Sequence, residues 1–182
     1  MRRIRFEISA AAVLLAALLY FFDATGAVSA LVPAALAHEL GHVLALRLCD
    51  SRVTRIRIAL TGVELDYAPG LEGGKSALCC LAGPLFGCLY AAAANAIGGR
   101  FLHMSGAISL LLTGFNLLPA LPLDGGRCAA ALVPERAARV LSRCTAFALA
   151  LTGAWLALRY GSVSVLIMGV WLTACNLKRC AP

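Results

Sequence analysis

Charged side chains are scarce in this sequence. Only 14% of its 182 residues are charged, nine of them acidic, whereas 61% are hydrophobic. Charged residues ordinarily make up about a quarter of a soluble globular domain, so the composition excludes that class. It predicts an all-α polytopic membrane protein. On length we expect a single domain over 1–182.

Cysteine pairs of the CxxC type are absent as well. The eight cysteines lie mostly within or at the ends of apolar runs. Free cysteine packs in such places as a small hydrophobic residue. The sequence therefore indicates neither a disulfide framework nor a cysteine-based zinc knuckle.

Long apolar runs dominate what remains, and we interpret six of them as transmembrane helices. Their ranges are 8–22, 26–46, 76–97, about 104–118, 140–158 and 161–177. The first run also has the shape of a signal peptide with a cleavage site after Ala30. We favour a retained helix, because cleavage there would leave the second run barely long enough to span. Period-two alternation over 55–67 around Thr61-Gly62 predicts a small β-hairpin between the second and third helices.

The basic residues are distributed unevenly over the segments that connect these six runs. One side of the membrane receives 14 of the 16 and the other receives only Arg100 and Arg159. By the positive-inside rule both termini should be cytosolic, in a multi-pass protein of the cell membrane. The net charge of +7 then needs no nucleic-acid partner.

An HExxH motif, His38-Glu39-Leu40-Gly41-His42, lies inside the second apolar run. On a helix the two histidines share one face, one turn apart, where they can bind one zinc ion. Glu39 is then placed to act as the general base of a zinc hydrolase. Ionisable residues are expensive in a membrane span, so their presence here indicates function.

A third ligand is needed, because catalytic zinc sites usually have three protein ligands. Apart from Glu39, Asp124 is the only acidic residue outside the predicted tails, loops and hairpin, and His103 falls on the side opposite the cytosol. We therefore predict that Asp124 binds zinc with His38 and His42, in the cytosolic half of the bilayer. Asp124 follows two prolines and precedes two glycines, which cannot continue a regular helix.

Three motifs in this order resemble those of the site-2 proteases, which are zinc-dependent intramembrane proteases. They are the HExxH motif at 38–42, Gly83-Pro84, and the run from Asn116 through Pro119 to Asp124-Gly125-Gly126. The resemblance implies a three-helix catalytic core at about 26–127, with Glu39 as the catalytic base. It also implies that Asn116 lines the active site, with Pro119 as a second candidate for contacting substrate. From the residues alone, Asn116 could equally form a hydrogen bond between helices.

The sequence departs from the family pattern at one place. Many members carry asparagine where this chain has Gly87, which leaves the role of that side chain unfilled. The six-helix layout resembles the sporulation-type branch of the family without its C-terminal regulatory domain.

The expected function is zinc-dependent endopeptidase cleavage of membrane-spanning or membrane-associated proteins, that is, regulated intramembrane proteolysis. The expected partners are a protein substrate, a regulatory membrane protein and the lipid bilayer. The main alternative is a membrane metal transporter or a metal-binding protein without protease activity. A transporter would favour several polar residues lining a path across both halves of the membrane, and the sequence lacks such residues. An inactive homologue is disfavoured by the intact Glu39. A prenyl-processing type of protease is disfavoured because it would need a later glutamate at membrane depth.

Overall fold

The structure is a computed structural model that describes residues 5–51, 53–59, 62–67 and 73–178. The chain divides into two compact units, Met1–Gly114 and Phe115–Pro182. The elements of the first unit are β1 (Arg5–Ile8), α1 (Ala10–Phe22), α2 (Ala27–Leu48), β2 (Val53–Ala59), β3 (Gly62–Tyr67), α3 (Gly73–Ile97) and most of α4 (Arg100–Asn116). Those of the second unit are α5 (Asp124–Leu132), α6 (Glu135–Tyr160) and α7 (Ser164–Lys178).

A three-stranded sheet stands where the sequence predicts a hairpin alone. β2 and β3 pair antiparallel, and β1 adds to the other edge of β2 in parallel, with Arg5 opposite Arg55. An ion pair of 3.1 Å joins the Arg55 Nη2 and Glu7 Oε1 atoms across β1 and β2. The all-α description is therefore corrected at the N-terminus, where residues expected to flank a helix form a strand. The residues at the tip of the predicted hairpin, 60–61, lie outside the described part.

Small residues allow α2 and α3 to pack closely. A Cβ atom on Gly41 of α2 would overlap the Ala82 carbonyl of α3. Because glycine has no side chain, the two helix backbones can approach at this point. This contact brings the face of α2 that carries the histidines against the middle of α3.

Hydroxyl groups at four-residue spacing attach α4 to its neighbours. The buried Ser105 hydroxyl donates to the Ala30 carbonyl of α2 at 2.7 Å, and the Ser109 hydroxyl donates to the Gly87 carbonyl of α3 at 2.9 Å. A Cβ atom on Gly87 would overlap the Thr113 hydroxyl oxygen. Thr113 therefore occupies the space that any side chain at position 87 would need, which gives the family departure at Gly87 a steric reason.

In the second unit, α6 and α7 form an antiparallel helical hairpin. A Cβ atom on Gly153 of α6 would overlap the backbone at Leu166 of α7, and one on Gly169 of α7 would overlap the backbone at Ala150 of α6. Residue 153 meets residue 166 and residue 150 meets residue 169, so the numbering rises along one helix as it falls along the other. This is the pattern of an antiparallel pair. Glycine at both points lets the two backbones come into contact.

Three helices of the described residues, α2, α3 and α6, are long and apolar enough to cross a membrane. The apolar stretches 12–22 and 164–177 are shorter. The six-span arrangement therefore stays a prediction. Two predicted helix starts are corrected: α4 begins at Arg100 rather than near Met104, and α6 begins at Glu135 rather than at Val140. The helix α5 was not predicted from the sequence.

Candidate metal centre

The two histidines of the motif lie four residues apart on α2 and converge through the same ring nitrogen. The Nε2 atoms of His38 and His42 are 3.2 Å apart, and the ring centroids are 4.9 Å apart at an interplanar angle of 76°. His38 is buried, with 4% of its surface exposed. Helical spacing places the two rings on one face, since residues i and i+4 are neighbours there.

This nitrogen spacing fits a zinc ion. Two Zn–N bonds of about 2.0–2.1 Å at a tetrahedral angle separate the nitrogens by about 3.3 Å. The pair on α2 is therefore already at the separation that a shared zinc requires, and the side chains need no rearrangement relative to each other.

The tautomer of His42 is fixed by α3. Its Nδ1 atom lies 2.8 Å from the Cys79 carbonyl oxygen, so Nδ1 carries the proton and donates to this acceptor. The Nε2 atom then presents its lone pair, which is the form that binds a metal. A backbone carbonyl in this role leaves no signal in the sequence, and the sequence analysis did not identify it.

Gly83 gives the His42 ring its space. A Cβ atom at this position would overlap the His42 imidazole at its Nε2 and Cε1 atoms. The Gly83-Pro84 motif is therefore adjacent to the candidate ligand, and its glycine is required by close approach of the ring. The sequence analysis singled out this motif without assigning it a contact.

Glu39 lies one residue after His38 on the same helix and is half-buried. Adjacent helical residues point about 100° apart around the axis, so the carboxylate projects from a neighbouring face of α2. This is the arrangement in which an HExxH glutamate serves as general base.

Asp124 belongs to the second unit, where it is the first residue of α5 and is 8% exposed. The first turn of a helix favours a carboxylate, because the helix dipole is positive there. A Cβ atom on Gly125 would overlap the Leu117 carbonyl, and one on Gly126 would overlap the backbone at Ala120. The two glycines therefore let the segment 117–123 fold back over the start of α5.

Asn116 is the last residue of α4, and Pro119 lies in the segment that follows it. Both are half-buried. Their expected contacts with substrate stay predictions.

The three predicted ligands each offer one ligand atom of a type that binds metal ions. Two imidazole nitrogens and one carboxylate oxygen form a donor set typical of catalytic zinc. The described residues contain no other such group of histidine, cysteine, aspartate and glutamate.

Comparison with known proteins bears on this assignment. Residues 70–159 match the model of Peptidase family M50. The structure of the Site-2 Protease from Methanocaldococcus jannaschii has a TM-score of 0.68 to this chain at 18% sequence identity, and the match covers 97% of this chain and 91% of that chain. No curated protein matches the chain.

The match to Peptidase family M50 supports a metallopeptidase, and the membrane-length helices fit a membrane protein of this class. The family match includes Asp124, whereas His38 and His42 lie before it. Over residues 70–159 the chain resembles Peptidase family M50, and it shares the fold of the Site-2 Protease from Methanocaldococcus jannaschii. The resemblance drawn from the three sequence motifs is confirmed.

Proposed function

We propose that this chain is a zinc-dependent intramembrane endopeptidase that cleaves membrane-spanning or membrane-associated protein substrates. The observation that carries the proposal is the histidine pair on α2. Its two Nε2 atoms are 3.2 Å apart in an apolar helix, and the His42 tautomer is held by the Cys79 carbonyl. Two imidazoles are costly in an apolar helix, and a shared metal ion would offset that cost.

Zinc would be held by His38, His42 and Asp124. When bound, zinc supplies Lewis acidity at the reacting carbonyl and makes water a stronger nucleophile near neutral pH. The Cys79 carbonyl keeps His42 in its binding tautomer, and an outer contact of this kind also raises the basicity of the ligand.

Glu39 is the proposed general base. It takes a proton from the attacking water and returns it to the amine nitrogen of the departing peptide. Asn116 is proposed to donate a hydrogen bond to the carbonyl oxygen on which negative charge develops. Pro119 is proposed to contact the substrate backbone beside Asn116.

The proposed setting is the cytosolic half of the cell membrane. Three membrane-length helices and the uneven distribution of basic residues support a multi-pass protein with cytosolic termini. The range 1–182 is proposed to act as one protease domain with its catalytic core at about 26–127. A regulatory membrane protein would then decide when a substrate is presented for regulated intramembrane proteolysis.

The test uses the full chain reconstituted with zinc in lipid vesicles, together with a panel of synthetic single-span substrates. Glu39→Gln should lower cleavage by about 10²–10⁴-fold, the usual contribution of a general base, while zinc stoichiometry stays unchanged. Glu135→Gln is the matched control, because Glu135 is an exposed residue of α6 that pairs with Arg139.

Equal cleavage by the wild type and Glu39→Gln would contradict the assignment of Glu39. Zinc binding by the wild type without cleavage of any substrate would favour the alternative of a metal-binding or transport protein. Unchanged zinc stoichiometry in Asp124→Ala would exclude Asp124 as a ligand.

A further inference from the structure

The segment that precedes Asp124 is held by side chains of α6 and α7. The Leu121 amide donates to the Ser142 hydroxyl of α6 at 2.7 Å, and the Leu121 carbonyl accepts from Asn176 Nδ2 of α7 at 2.7 Å. The Ser142 hydroxyl in turn donates to Asn176 Oδ1. Both backbone groups of one residue are therefore bound by a connected pair of buried side chains.

The Ser142–Asn176 pair, called the clamp from here on, supplies hydrogen-bond partners to an irregular stretch of backbone. The segment 117–123 is not a regular helix, so its backbone groups cannot all be satisfied by helical hydrogen bonds; the Leu123 carbonyl accepts from the Arg127 amide of α5. Ala120 and Leu123 form short-range bonds within the segment, through Ala120 N to Leu118 O and Leu123 N to Ala120 O. Leu121, which lies three residues before Asp124, instead forms its described hydrogen bonds with Ser142 and Asn176.

An apolar layer lies one helical turn from the clamp. Ala120 and Leu123 pack with Ala146 of α6 and Leu172 of α7, and both Ala120 and Ala146 are completely buried. Ser142 and Ala146 are four residues apart on α6, as are Leu172 and Asn176 on α7, so each helix presents both layers on one face. The segment is thus fixed by one polar and one apolar layer.

The helices that carry the clamp have little freedom relative to each other. Gly153 and Gly169 bring α6 and α7 into backbone contact, and close-packed interiors transmit displacement rather than absorb it. A side chain on either helix can therefore define the position of the segment that it contacts.

We infer that Ser142 and Asn176, which lie outside the catalytic core, are positioning residues that fix the carboxylate of Asp124 for metal binding. The inference rests on the proposed function, because it takes Asp124 to be a ligand. It assigns to α6 and α7 the role of supporting the ligand segment.

The experiment measures zinc affinity in the full chain in detergent by competition with a chromophoric chelator. It also records the visible absorption of the Co²⁺-loaded protein, which reports ligand geometry. Substitution of residues that support metal ligands typically lowers metal affinity by about 10–100-fold. Because Ser142 and Asn176 act through the backbone, we expect Ser142→Ala and Asn176→Leu to lower it by about threefold to tenfold and to change the Co²⁺ band intensity.

The matched controls remove a polar group from the same helices without touching the segment. They are Thr145→Val on α6 and Thr173→Val on α7, whose hydroxyls donate to the Leu141 and Gly169 carbonyls of their own helices. Both controls should retain wild-type affinity and spectrum. Ser142→Cys, which is close in size and a weak hydrogen-bonding group, replaces Ser142→Ala if that variant does not fold, and should be intermediate.

Asp124→Ala separates the two possible failures. If Asp124→Ala loses affinity while Ser142→Ala and Asn176→Leu bind zinc as the wild type does with an unchanged Co²⁺ spectrum, the positioning inference is wrong and the proposed site stands. If Asp124→Ala itself binds zinc normally, the ligand set proposed for the protease fails. If the two control variants lose as much affinity as the clamp variants, the effect is a general loss of packing and the inference is wrong.

Discussion

The two regions that supply the candidate ligands are built in different ways. α2 delivers His38 and His42 from one continuous helix, whose repeat places both side chains on one face with their Nε2 atoms 3.2 Å apart. Asp124 begins α5 after an irregular segment, which is bound by Ser142 and Asn176 from helices further along the chain. The histidine region depends mainly on the local helix, with one tertiary contact from the Cys79 carbonyl. The aspartate region depends on several tertiary contacts.

The two regions are therefore sensitive to different substitutions. The spacing of the histidine pair depends on the backbone of α2, so only a group that intrudes on a ring can disturb it. The position of Asp124 depends on several separate contacts, so substitution of a residue that does not itself bind the metal can disturb it. The three predictions below test this contrast.

The largest effect is expected for Gly83→Ala, which acts on the histidine region. The added methyl group would overlap the His42 ring at its Nε2 atom, so the ring must turn away from the Cys79 carbonyl. We expect zinc affinity to fall by about 10–100-fold, measured by chelator competition. Gly74→Ala is the control, because a Cβ there meets nothing within 4 Å. Wild-type affinity in Gly83→Ala would show that the histidine region tolerates intrusion.

A smaller effect is expected for Gly126→Ala, which acts on the aspartate region. Its Cβ would overlap the backbone at Ala120, so the segment must move off the start of α5. We expect a loss of about tenfold in zinc affinity, the lower end of the range for indirect support of a ligand. Gly114→Ala, where a Cβ meets nothing within 4 Å, should bind zinc normally. A loss larger than that of Gly83→Ala would reverse the comparison.

The same contrast explains what the sequence could predict. The histidine pair follows from a five-residue motif in an apolar run, because helical spacing is a local property. The long helices α2, α3 and α6 are visible for the same reason. Elimination among nine acidic residues selects Asp124, but nothing local shows that Asp124 starts a helix. The two prolines before Asp124 and the two glycines after it indicate the end of a regular helix. The start of α5 at Asp124 was therefore not predicted.

What the sequence could not predict depends on contacts between distant residues. β1 resembles the basic flank of a helix, and its identity as a strand comes from pairing with residues about 50 positions later, Arg5 with Arg55. Ser142 and Asn176 are two of several polar residues in α6 and α7, and nothing in their sequence pattern distinguishes them from residues that form a local hydrogen bond. Only the structure shows that both bind Leu121.

The smallest effect concerns the start of α2, and it tests whether the histidine helix is also stabilised locally. The Asp23 carboxylate accepts hydrogen bonds from the Thr25 hydroxyl at 2.7 Å and from the Val28 amide at 2.6 Å. These bonds, that of Thr25 foremost, lower the pKa of Asp23 to about 2. The unfolded chain has an ordinary aspartate pKa of about 3.9. The ionised form therefore stabilises the fold above that value, and the contribution is lost as the pH falls towards 2.

Asp23→Asn should accordingly lower the melting temperature in detergent slightly above about pH 5, and the difference from the wild type should shrink as the pH approaches about 2. Asp50→Asn is the control at the other end of α2. It removes the same charge, and asparagine tolerates the positive φ of 55° at that position. Zinc affinity should be unchanged in both variants, because the histidines lie several turns from Asp23. A difference in melting temperature that does not vary with pH would contradict the ionised cap. A loss of zinc affinity in Asp23→Asn would show that the histidine spacing depends on more than the local helix.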